Sequence, residues 1–344
     1  MKFKITPLLL IVALCTIGIY YHLQNRQFTV TVFDAFDTVS TINVYSAHDN
    51  TKEYEKLIKE YDKSLSVYNT ESEIYKLNTN KKADISADTE ELLCDAITYS
   101  AKLSDYFDIS INPLCQKWES AKTSGTAPTI TDEDLAHISI EKLRVDIDAN
   151  TATITHPDAS ITLGAVAKGF VTDKLVHHMR LNGDENALIN LGGNIYALGT
   201  KPKKSFNLHP STSGEEWKIG IADPNSPQES AVIVRVSDTA VVTSGDYERY
   251  FESGGKRYHH IIDPKTGYPS DSGLRSATAI GSKAELCDIL STAMFVAGKE
   301  KAAALAKEYG IDAILIDDAN IYYSPALEGF LSLQNEAYKL LMLD

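Results

Sequence analysis

The sequence contains no long basic run, and its net charge is strongly negative. Lys and Arg number 33 against 47 Asp and Glu, which gives a formal net charge of −14 over 344 residues. A protein that binds nucleic acid needs a basic surface to meet the phosphate backbone, so we expect no nucleic-acid partner. An acidic protein still binds a phosphorylated ligand where a metal ion or backbone N–H groups offset the charge locally.

Cysteine is also scarce, since the chain has only Cys15, Cys94, Cys115 and Cys287. One of them lies in an apolar N-terminal run, and the other three are scattered without the spacing of metal ligands. The pattern excludes a disulfide framework and a zinc site, and it predicts three buried, unreactive thiols. The chain has no internal repeat and no low-complexity segment, and 43% hydrophobic residues are typical of a globular protein.

No cleavage site of the A-x-A kind follows the apolar run at the start of the chain. Lys2 and Lys4 precede this run, Ile5–Tyr21, which is near the short end of a membrane span and longer than an ordinary signal-peptide core. A buried helix of the globular domain is the weaker interpretation, because the run opens the chain directly behind two lysines. We predict an uncleaved signal anchor and short linker over residues 1–27. Residues 28–344 would then form one domain on the extracytoplasmic face of a bacterial cell envelope.

Strand and helix patterns are mixed along the rest of the chain without strict βαβ alternation. Helices are predicted at Lys52–Ser64, Asp88–Ser104, Ala165–Met179 and Lys283–Ala297, with a further helix ending at Tyr309. Strands are predicted within Phe28–Ala47, Leu143–Leu163, Ala187–Asn190, Ile195–Leu198, Trp217–Ile221, Ala231–Val236, Ala240–Thr243, Ala313–Ile316 and Ile321–Tyr323. Ser120–Thr131 is predicted as a loop, and Arg257–Ser276 as two strands around a Pro- and Gly-rich loop. We expect an α+β fold with mixed, largely antiparallel sheets and packed helices.

Two segments carry glycine next to a predicted strand. In Thr162–Phe170 a glycine precedes a helix, so that a ligand can approach the backbone and a phosphate can meet the helix N-terminus; Lys168 can reach a phosphate or a ring carbonyl. Taken alone, a plain helix start with a surface lysine is the better interpretation, and the segment matches neither a Walker loop nor a dinucleotide fingerprint. Asn190–Asn194 has paired glycines between two strands, for which a hairpin turn is the simpler explanation.

Two other segments carry polar side chains that suit catalysis. His259 and His260 are adjacent on a predicted strand, so they point to opposite faces and at most one of them faces a given site. Histidine is the usual proton carrier near neutral pH, although adjacent histidines are usually incidental. On one C-terminal helix, Asp288, Ser291 and Thr292 share a face through i, i+3, i+4 spacing. These hard oxygen ligands suit Mg²⁺, and a helix turn packed with small polar residues is an equally good interpretation before the context is considered.

Taken together and in order, these segments resemble the FAD:protein FMN transferase family, also known as the ApbE or thiamine-biosynthesis lipoprotein family. The segments are LSVYNTESEIYKLN, GAVAKGF, NLGGNI, TSGDYERYF, HHIIDPKTGYP and CDILSTAMFVAG. The similarity extends over nearly the whole chain from about Phe33. Each motif is weak alone, whereas the ordered set is specific. The resemblance implies an ApbE-like fold, FAD as the substrate and Mg²⁺ as the cofactor.

The resemblance also implies roles for aromatic residues near the flavin. Tyr68 corresponds to the aromatic residue that meets the flavin ring, and Tyr106, Phe107 and Asp108 correspond to a second stretch on the flavin side. Phe36 falls about where members often have a methionine against the cofactor.

Further residues match the positions that bind the rest of FAD and the metal ion. Lys168 and Ile262 match FAD-contacting positions, and Thr162 stands where many members have an aspartate near FAD. The matched Mg²⁺ shell consists of the carbonyl of Ala165 and the side chains of Asp288, Ser291 and Thr292. Ser291 replaces a carboxylate found in some members, which predicts a less charged and weaker metal site. His260 matches the histidine that assists transfer.

The implied reaction is a Mg²⁺-dependent cleavage of FAD that attaches its FMN half to a Thr or Ser hydroxyl of an acceptor protein and releases AMP. In it, His260 takes the proton of the attacking hydroxyl. An exported enzyme suits an acceptor among the electron-transfer proteins of the envelope. The alternatives are an FAD pyrophosphatase, a flavin-binding surface protein without catalysis, and a solute-binding receptor of the envelope.

Overall fold

The computed structural model describes residues 16, 25–136, 138–140, 145–148, 150–203 and 214–343. Strands form the framework of the fold within these residues. In chain order the strands are β1 (Arg26–Ala35), β2 (Thr38–Ser46), β3 (Lys82–Asp84), β4 (Val145–Asp148), β5 (Thr151–Ile154), β6 (Asn186–Leu191), β7 (Asn194–Leu198), β8 (Trp217–Asp223), β9 (Ser226–Val236), β10 (Thr239–Gly245), β11 (Tyr250–Ser253), β12 (Lys256–His259), β13 (Ser276–Gly281), β14 (Asp312–Ile316), β15 (Asn320–Tyr323), β16 (Leu331–Leu333) and β17 (Lys339–Met342). The helices are α1 (Thr51–Leu65), α2 (Glu73–Asn80), α3 (Ala87–Lys102), α4 (Asn112–Ser124), α5 (Asp132–Ala136), α6 (Ala167–Leu181), α7 (Ala284–Ala297) and α8 (Lys299–Tyr309). Short 3₁₀ turns lie at Ile109–Ile111 and Pro325–Leu327.

Nine strands form the main sheet, in the order β1-β2-β6-β7-β10-β13-β14-β15-β17. Neighbouring strands are antiparallel, except that β15 and β17 run parallel. Smaller sheets have the orders β16-β9-β8, β3-β5-β4 and β11-β12. The predicted α+β class with largely antiparallel sheets is therefore confirmed.

The main sheet is buried on both faces. Successive residues of a strand point to opposite sides, so one strand contributes to a core on each face. On β10, Val242 belongs to the core that the helices α1, α6 and α7 cover, whereas Val241 belongs to the core shared with β8 and β9. On β13, Ala279 and Ile280 divide in the same way. The layers are therefore helices, main sheet and small sheet.

The start of α6 lies directly against the start of α7, and a glycine permits this approach. A Cβ at Gly169 would be 2.4 Å from the carbonyl oxygen of Ala284. The backbone N–H of Gly169 donates to Asp288 Oδ2 over 2.9 Å. Asp173 of α6 accepts from the backbone N–H groups of Ala284 (2.9 Å) and Glu285 (3.0 Å), so one helix satisfies the free donors of the other. These contacts fix the position of Asp288 relative to α6.

Several predicted elements need correction. Ser120–Thr131 is not a loop throughout, because α4 continues to Ser124 and buries Trp118 and Ala121 on one face. Arg257–Ser276 does not contain two paired strands. Its first residues belong to β12, which pairs with the unpredicted β11, and only Ile262 and Pro269 form a bridge around the Pro- and Gly-rich loop.

The cysteine prediction was right for one thiol. Cys287 is buried, Cys115 is partly buried and Cys94 is exposed, and all three are free. Cys94 lies on the outer face of α3, where periodicity alone did not distinguish it from a core position.

The predicted anchor Ile5–Tyr21 lies outside the described residues apart from Thr16. Among the residues that the structure describes, no helix is both long enough and apolar enough to cross a bilayer. β1 begins at Arg26, two residues before the predicted start of the domain at Phe28.

Candidate active site

A cavity of about 1120 Å³ opens between the β1–β2 turn, the start of α6, the end of β10 and α7. It is lined by all residues for which the family resemblance implied a role, apart from Ser291. These are Phe36, Tyr68, Tyr106, Phe107, Asp108, Thr162, Ala165, Lys168, His260, Ile262, Asp288 and Thr292. The volume exceeds the range of about 300–1,000 Å³ that is usual for small-molecule pockets. The cavity therefore suits a ligand of dinucleotide size.

One end of the cavity is aromatic. Tyr68 is 66% exposed in the loop after α1, and Phe36 packs partly on the core at the β1–β2 turn. The ammonium group of Lys265 lies 5.4 Å from the centroid of the Tyr106 ring. Phe107 is buried in the core and contributes only part of the wall. Accessible aromatic faces of this kind are where a planar ring system stacks.

Asp108 lines the cavity, but its carboxylate is already bound. Oδ1 accepts from the backbone N–H of Ser110 (2.8 Å), and Oδ2 accepts from that of Ile140 (3.2 Å). Burial raises the pKa of Asp108, and both hydrogen bonds oppose the shift. Asp108 thus caps the 3₁₀ turn and supports the adjacent Tyr106–Phe107 stretch.

A second aromatic wall was not predicted from the sequence. The Trp118 ring stacks on Tyr258 with centroids 5.2 Å apart, and Tyr258 stacks on Phe251 at 5.5 Å. Trp118 Nε1 donates to the carbonyl oxygen of Gly267 over 2.8 Å, which fixes its plane. Ile262 packs into the same apolar cluster. β11, which carries Phe251, is too short to show a clear period in the sequence.

The segment that leads into α6 brings backbone donors and a lysine to the cavity. The backbone N–H of Thr162 donates to Ile109 O (2.8 Å), and that of Gly164 donates to Thr162 Oγ1 (3.3 Å). Lys168 Nζ lies 3.3 Å from Gly164 O, a long contact that an anionic oxygen can replace. In the first turn of α6 the Gly169 N–H is bound by the Asp288 carboxylate, and Val166 at the N-cap position adds no side-chain hydrogen bond. A helix N-terminus beside a lysine is a favourable place for phosphate.

Oxygen atoms converge on the α7 side of the cavity. Asp288 is only 4% exposed, and both it and Thr292 line the cavity. Ser244 Oγ of β10 lies 3.2 Å from Thr292 Oγ1 and 2.9 Å from Ser291 Oγ. Ser291 is fully buried behind this layer, and its hydroxyl donates to the main-chain oxygen of Asp288 over 2.9 Å. Asp288 and Thr292 of α7 therefore line the cavity, whereas Ser291 is buried behind them.

These groups fit a Mg²⁺ ion. A carboxylate with neutral hydroxyl and carbonyl oxygens is the ligand type that a hard cation prefers. Burial raises the pKa of Asp288, and a cation would favour the ionised form. Asn194 lies beside this carboxylate, completely buried, and neither Nδ2 nor Oδ1 has a partner at hydrogen-bond geometry among the described residues. The part of the chain that the structure describes contains no group of three or more His, Cys, Asp or Glu side chains placed for a metal ion.

Glu248 and Arg249 add charges to the cavity that sequence reasoning left out. Enclosure by the cavity walls raises the pKa of Glu248, while Lys168 and Arg249 oppose the shift and Asp288 adds to it. These four charged side chains therefore act on one another within one cavity. Both residues belong to the TSGDYERYF segment, and this motif could have indicated from the sequence that they lie at the site.

The two adjacent histidines have different surroundings. His259 is buried; its Nε2 donates to Ser270 O over 2.9 Å, and its Nδ1 accepts from the backbone N–H of Ile261 at 3.3 Å. Its ring meets Phe295 edge-on, with centroids 5.4 Å apart. Both ring nitrogens are therefore committed to the fold.

His260 is exposed within the cavity. Its backbone N–H donates to Arg249 O over 3.0 Å, and its Nδ1 lies 3.3 Å from the same oxygen. A carbonyl oxygen only accepts, so Nδ1 carries the proton and Nε2 keeps its lone pair. Enclosure by the walls, then the positive charge of Arg249, and then His259 and Lys168 lower the pKa of His260. His260 is thus a neutral imidazole at neutral pH.

An aromatic end, a helix N-terminus beside a lysine and an oxygen-lined end define a site that suits a nucleotide. A model of the ApbE family matches residues 36–315. The chain belongs to the ApbE family.

Three relatives carry the name FAD:protein FMN transferase. The protein of Treponema pallidum is 35% identical over 65% of this chain and 64% of its own length. That of Klebsiella pneumoniae is 33% identical over 76% of this chain and 80% of its own length. That of Haemophilus influenzae is 29% identical over 84% and 82%. The chain thus spans just under two thirds of the Treponema protein and about four fifths of the other two.

Solved structures show the same fold. The flavin transferase ApbE from Vibrio cholerae superposes with a TM-score of 0.71 at 26% identity, covering 89% of this chain and 100% of its own. The ApbE protein from Thermotoga maritima superposes with a TM-score of 0.77 at 27% identity, covering 89% and 99%. The predicted ApbE-like fold is therefore confirmed.

Proposed function

We propose that this chain uses Mg²⁺ to cleave FAD and transfers the FMN half to a Thr or Ser hydroxyl of an acceptor protein, with release of AMP. As a member of its family, the chain is an FAD:protein FMN transferase, so FAD is its substrate and a protein is its acceptor. Beyond this family activity, we propose the Mg²⁺ ion, the roles of the individual residues and the hydroxyl acceptor. We also propose that residues 28–344 lie outside the cytoplasm.

The single observation that carries the residue roles is the shared cavity. Four distant parts of the chain contribute Tyr68, Lys168, the pair His260 and Ile262, and Asp288 to the lining of one space. A flavin ring fits the aromatic end beside Tyr68 and Phe36, and the diphosphate fits the α6 N-terminus beside Lys168. Asp288, Thr292 and the carbonyl oxygen of Ala165 would hold the cation, with Ser291 supporting them from behind.

His260 is placed to take the proton of the acceptor hydroxyl. Its Nε2 lone pair is free because Nδ1 faces Arg249 O, and a positioned base of this kind contributes about 10²–10⁴-fold. The hydroxyl oxygen bonds to the FMN phosphorus as the bond from that phosphorus to the AMP oxygen breaks. The charge on the departing AMP oxygen falls near Lys168. Bound Mg²⁺ would supply the remaining charge neutralisation at the diphosphate.

The metal assignment is tested by Asp288→Asn, which keeps an oxygen acceptor for the Gly169 N–H. Asp288 is buried and its carboxylate binds the Gly169 N–H, so alanine would also disturb the helix contact. We expect Asp288→Asn to weaken the Mg²⁺-dependent rise in melting temperature and to raise the Mg²⁺ concentration needed for transfer by about 100-fold. Asp312→Asn is the control, because burial also raises the pKa of that carboxyl group and it does not line the cavity. Full activity of Asp288→Asn at limiting Mg²⁺ would remove this helix face from the metal site.

The membrane anchor and the envelope acceptor rest on the sequence. Lys2 and Lys4 before the apolar run Ile5–Tyr21 support tethering outside the cytoplasm. An acceptor that works in envelope electron transfer would be modified where it works.

Transfer is distinguished from hydrolysis by weighing the products. The full-length protein is incubated with FAD, Mg²⁺ and candidate envelope acceptors, and the acceptor mass and free nucleotides are followed. An acceptor gaining one FMN together with one AMP supports the proposal. Release of FMN and AMP with no acceptor modified would make the chain an FAD pyrophosphatase. FAD binding without turnover would make it a flavin-binding protein.

A further inference from the structure

The turn between β1 and β2 has an unfavourable backbone conformation next to the cavity. Asp34, Phe36 and Asp37 have φ angles of 63°, 55° and 54°, in the left-handed region that is costly for residues with a side chain. Phe36 and Asp37 also line the cavity. A turn of this kind persists only where its surroundings hold it.

Two side chains hold the backbone of the turn from opposite sides. The Phe36 N–H donates to Asp62 Oδ1 of α1 over 2.8 Å. Arg249 Nη2 donates to the carbonyl oxygens of Asp37 (2.9 Å) and Phe36 (3.3 Å). The N–H of Phe36 and the carbonyl oxygens of Phe36 and Asp37 are therefore bound by side chains from distant segments.

The turn also packs closely on the β6–β7 connection. A Cβ at Gly192 would lie 2.4 Å from Thr38 Cγ2, and Gly192 itself has a φ of 57°. The first glycine of the NLGGN segment is therefore required both by its own conformation and by the approach of the β1–β2 turn.

Arg249 connects this turn to the histidine on the other side of the cavity. Its main-chain oxygen accepts from the backbone N–H of His260 and faces His260 Nδ1. Its side chain meanwhile reaches the turn. One residue thus joins the two walls between which the flavin end of the substrate would lie.

We propose that Arg249 is a positioning residue, which acts on FAD through Phe36 by fixing the β1–β2 turn over the aromatic end of the cavity. The proposal rests on FAD being the substrate, as proposed above. The planar guanidinium group suits two neighbouring carbonyl oxygens, and a lysine ammonium group lacks this fixed fork of donors.

The charge of Arg249 is not the main cause. Its Nη1 lies 3.7 Å from Asp37 Oδ2, and the two side chains are 48% and 68% exposed. An exposed pair at this distance is screened by water and contributes little. The directed hydrogen bonds to the carbonyl oxygens therefore distinguish arginine from lysine here.

The test compares Arg249→Lys and Arg249→Met in the full-length protein. Both variants should weaken FAD binding by about 10-fold or more and speed hydrogen–deuterium exchange at residues 34–38. The KM for FAD should rise far more than kcat falls, because the Arg249 main chain still holds His260. Asp62→Ala should speed the same exchange, whereas Asp62→Asn should not, since its amide oxygen still accepts from the Phe36 N–H.

Arg235→Met is the matched control, because Arg235 also donates to a carbonyl oxygen, that of Gly329, away from the cavity. It should keep wild-type FAD affinity and wild-type exchange in the β1–β2 turn. Wild-type affinity and exchange in Arg249→Lys would overturn the proposal in favour of charge alone. A fall in kcat with unchanged affinity and exchange would overturn it in favour of a role in the chemical step. The exchange comparison needs no FAD, so it decides the role of Arg249 in the turn even if the wild-type protein fails to bind FAD.

Discussion

At the scale of single residues, the neighbouring histidines should respond to substitution in different ways. His260→Ala should lose about 10²–10⁴-fold in FMN transfer, because it removes the proposed base from the cavity. FAD affinity should change little, since the residues proposed to bind FAD are Tyr68, Lys168 and Ile262, together with the proposed metal site. The measurement is mass-detected transfer to the acceptor alongside FAD affinity.

His259→Ala is the comparison for this prediction. It should keep transfer per folded molecule but lower the free energy of unfolding by about 2 kcal/mol, since the change leaves Ser270 O without its donor and a gap beside Phe295. The buried contacts of His259 therefore make this substitution costly for stability but not for transfer. Equal, small losses of transfer in both variants would mean that neither histidine carries the proton, and Glu248 would become the better candidate.

Glu285 should make the protein less stable as the pH rises. Burial raises its pKa to about 8, and Asp95 and Asp173 add to the shift. Its Oε1 has no hydrogen-bond partner among the described residues. The folded state therefore keeps a proton that the unfolded state has lost above pH ~4.5, so stability declines between pH ~4.5 and about 8.

Glu285→Gln should remove this decline. The gain in free energy of unfolding over the wild type should be near zero at pH 4 and about 2 kcal/mol at pH 8, as partial solvent access reduces the full effect. Urea unfolding across this pH range measures the difference. Glu328→Gln, on the exposed surface, should show no such pH-dependent gain. A constant difference between Glu285→Gln and wild type would contradict the assignment.

At the scale of elements, the contact between α6 and α7 is the part of the fold that most directly positions Asp288 in the proposed metal site. Gly169→Ala should lower the free energy of unfolding by about 1–3 kcal/mol, because the new Cβ would clash with main-chain atoms of Ala284 and Glu285. Mg²⁺ binding should weaken in parallel, since Asp288 would lose its position against the Gly169 N–H. Chemical unfolding and a Mg²⁺ titration of the melting temperature measure the two effects.

Gly164→Ala serves as the stability control for this prediction. Its Cβ would meet only Thr162 Oγ1, at 3.6 Å, which is ordinary contact. Its melting temperature without ligand should therefore match the wild type. A Gly169→Ala variant as stable as the wild type would contradict the prediction, because it would show that α6 and α7 can move apart without a loss in the free energy of unfolding.

Elements with a strong period were predictable, and those defined by their partners were not. The α7 and β10 predictions differ from the structure by about one or two residues at their ends. β11 was missed because Tyr250–Ser253 is short and its pairing with β12 depends on the packing of Trp118 beneath it. Register between distant segments is a tertiary property, which local periodicity does not contain.

At the scale of the whole molecule, the N-terminal prediction concerns where the protein resides. Lys2 and Lys4, the apolar run Ile5–Tyr21 and the missing cleavage site predict that the mature protein stays in the membrane fraction with its N-terminus intact. Intact-mass measurement and N-terminal sequencing of the extracted protein check this. A mature N-terminus near Arg26 would instead indicate a secreted enzyme.

The sequence by itself determined the class of fold, the family and most of the site. Alternation and helical periods are local, so they identify strands and helices wherever the apolar pattern is regular. The spacing of Asp288 and Thr292 placed both on one helix face, and the ordered motifs identified the residues that line the cavity.

Only the tertiary structure decided which of those residues reach the cavity and which lie behind it. Ser291 has the same helical spacing as Thr292, yet it lies behind the cavity because β10 packs against that side of α7 and Ser244 meets both hydroxyls. The placement of Asn194 beside Asp288 and the role proposed for Arg249 both depend on segments far away in sequence. Such roles depend on distances between elements, and these distances are set by the packing of the sheet and helices as a whole rather than by any local pattern of residues.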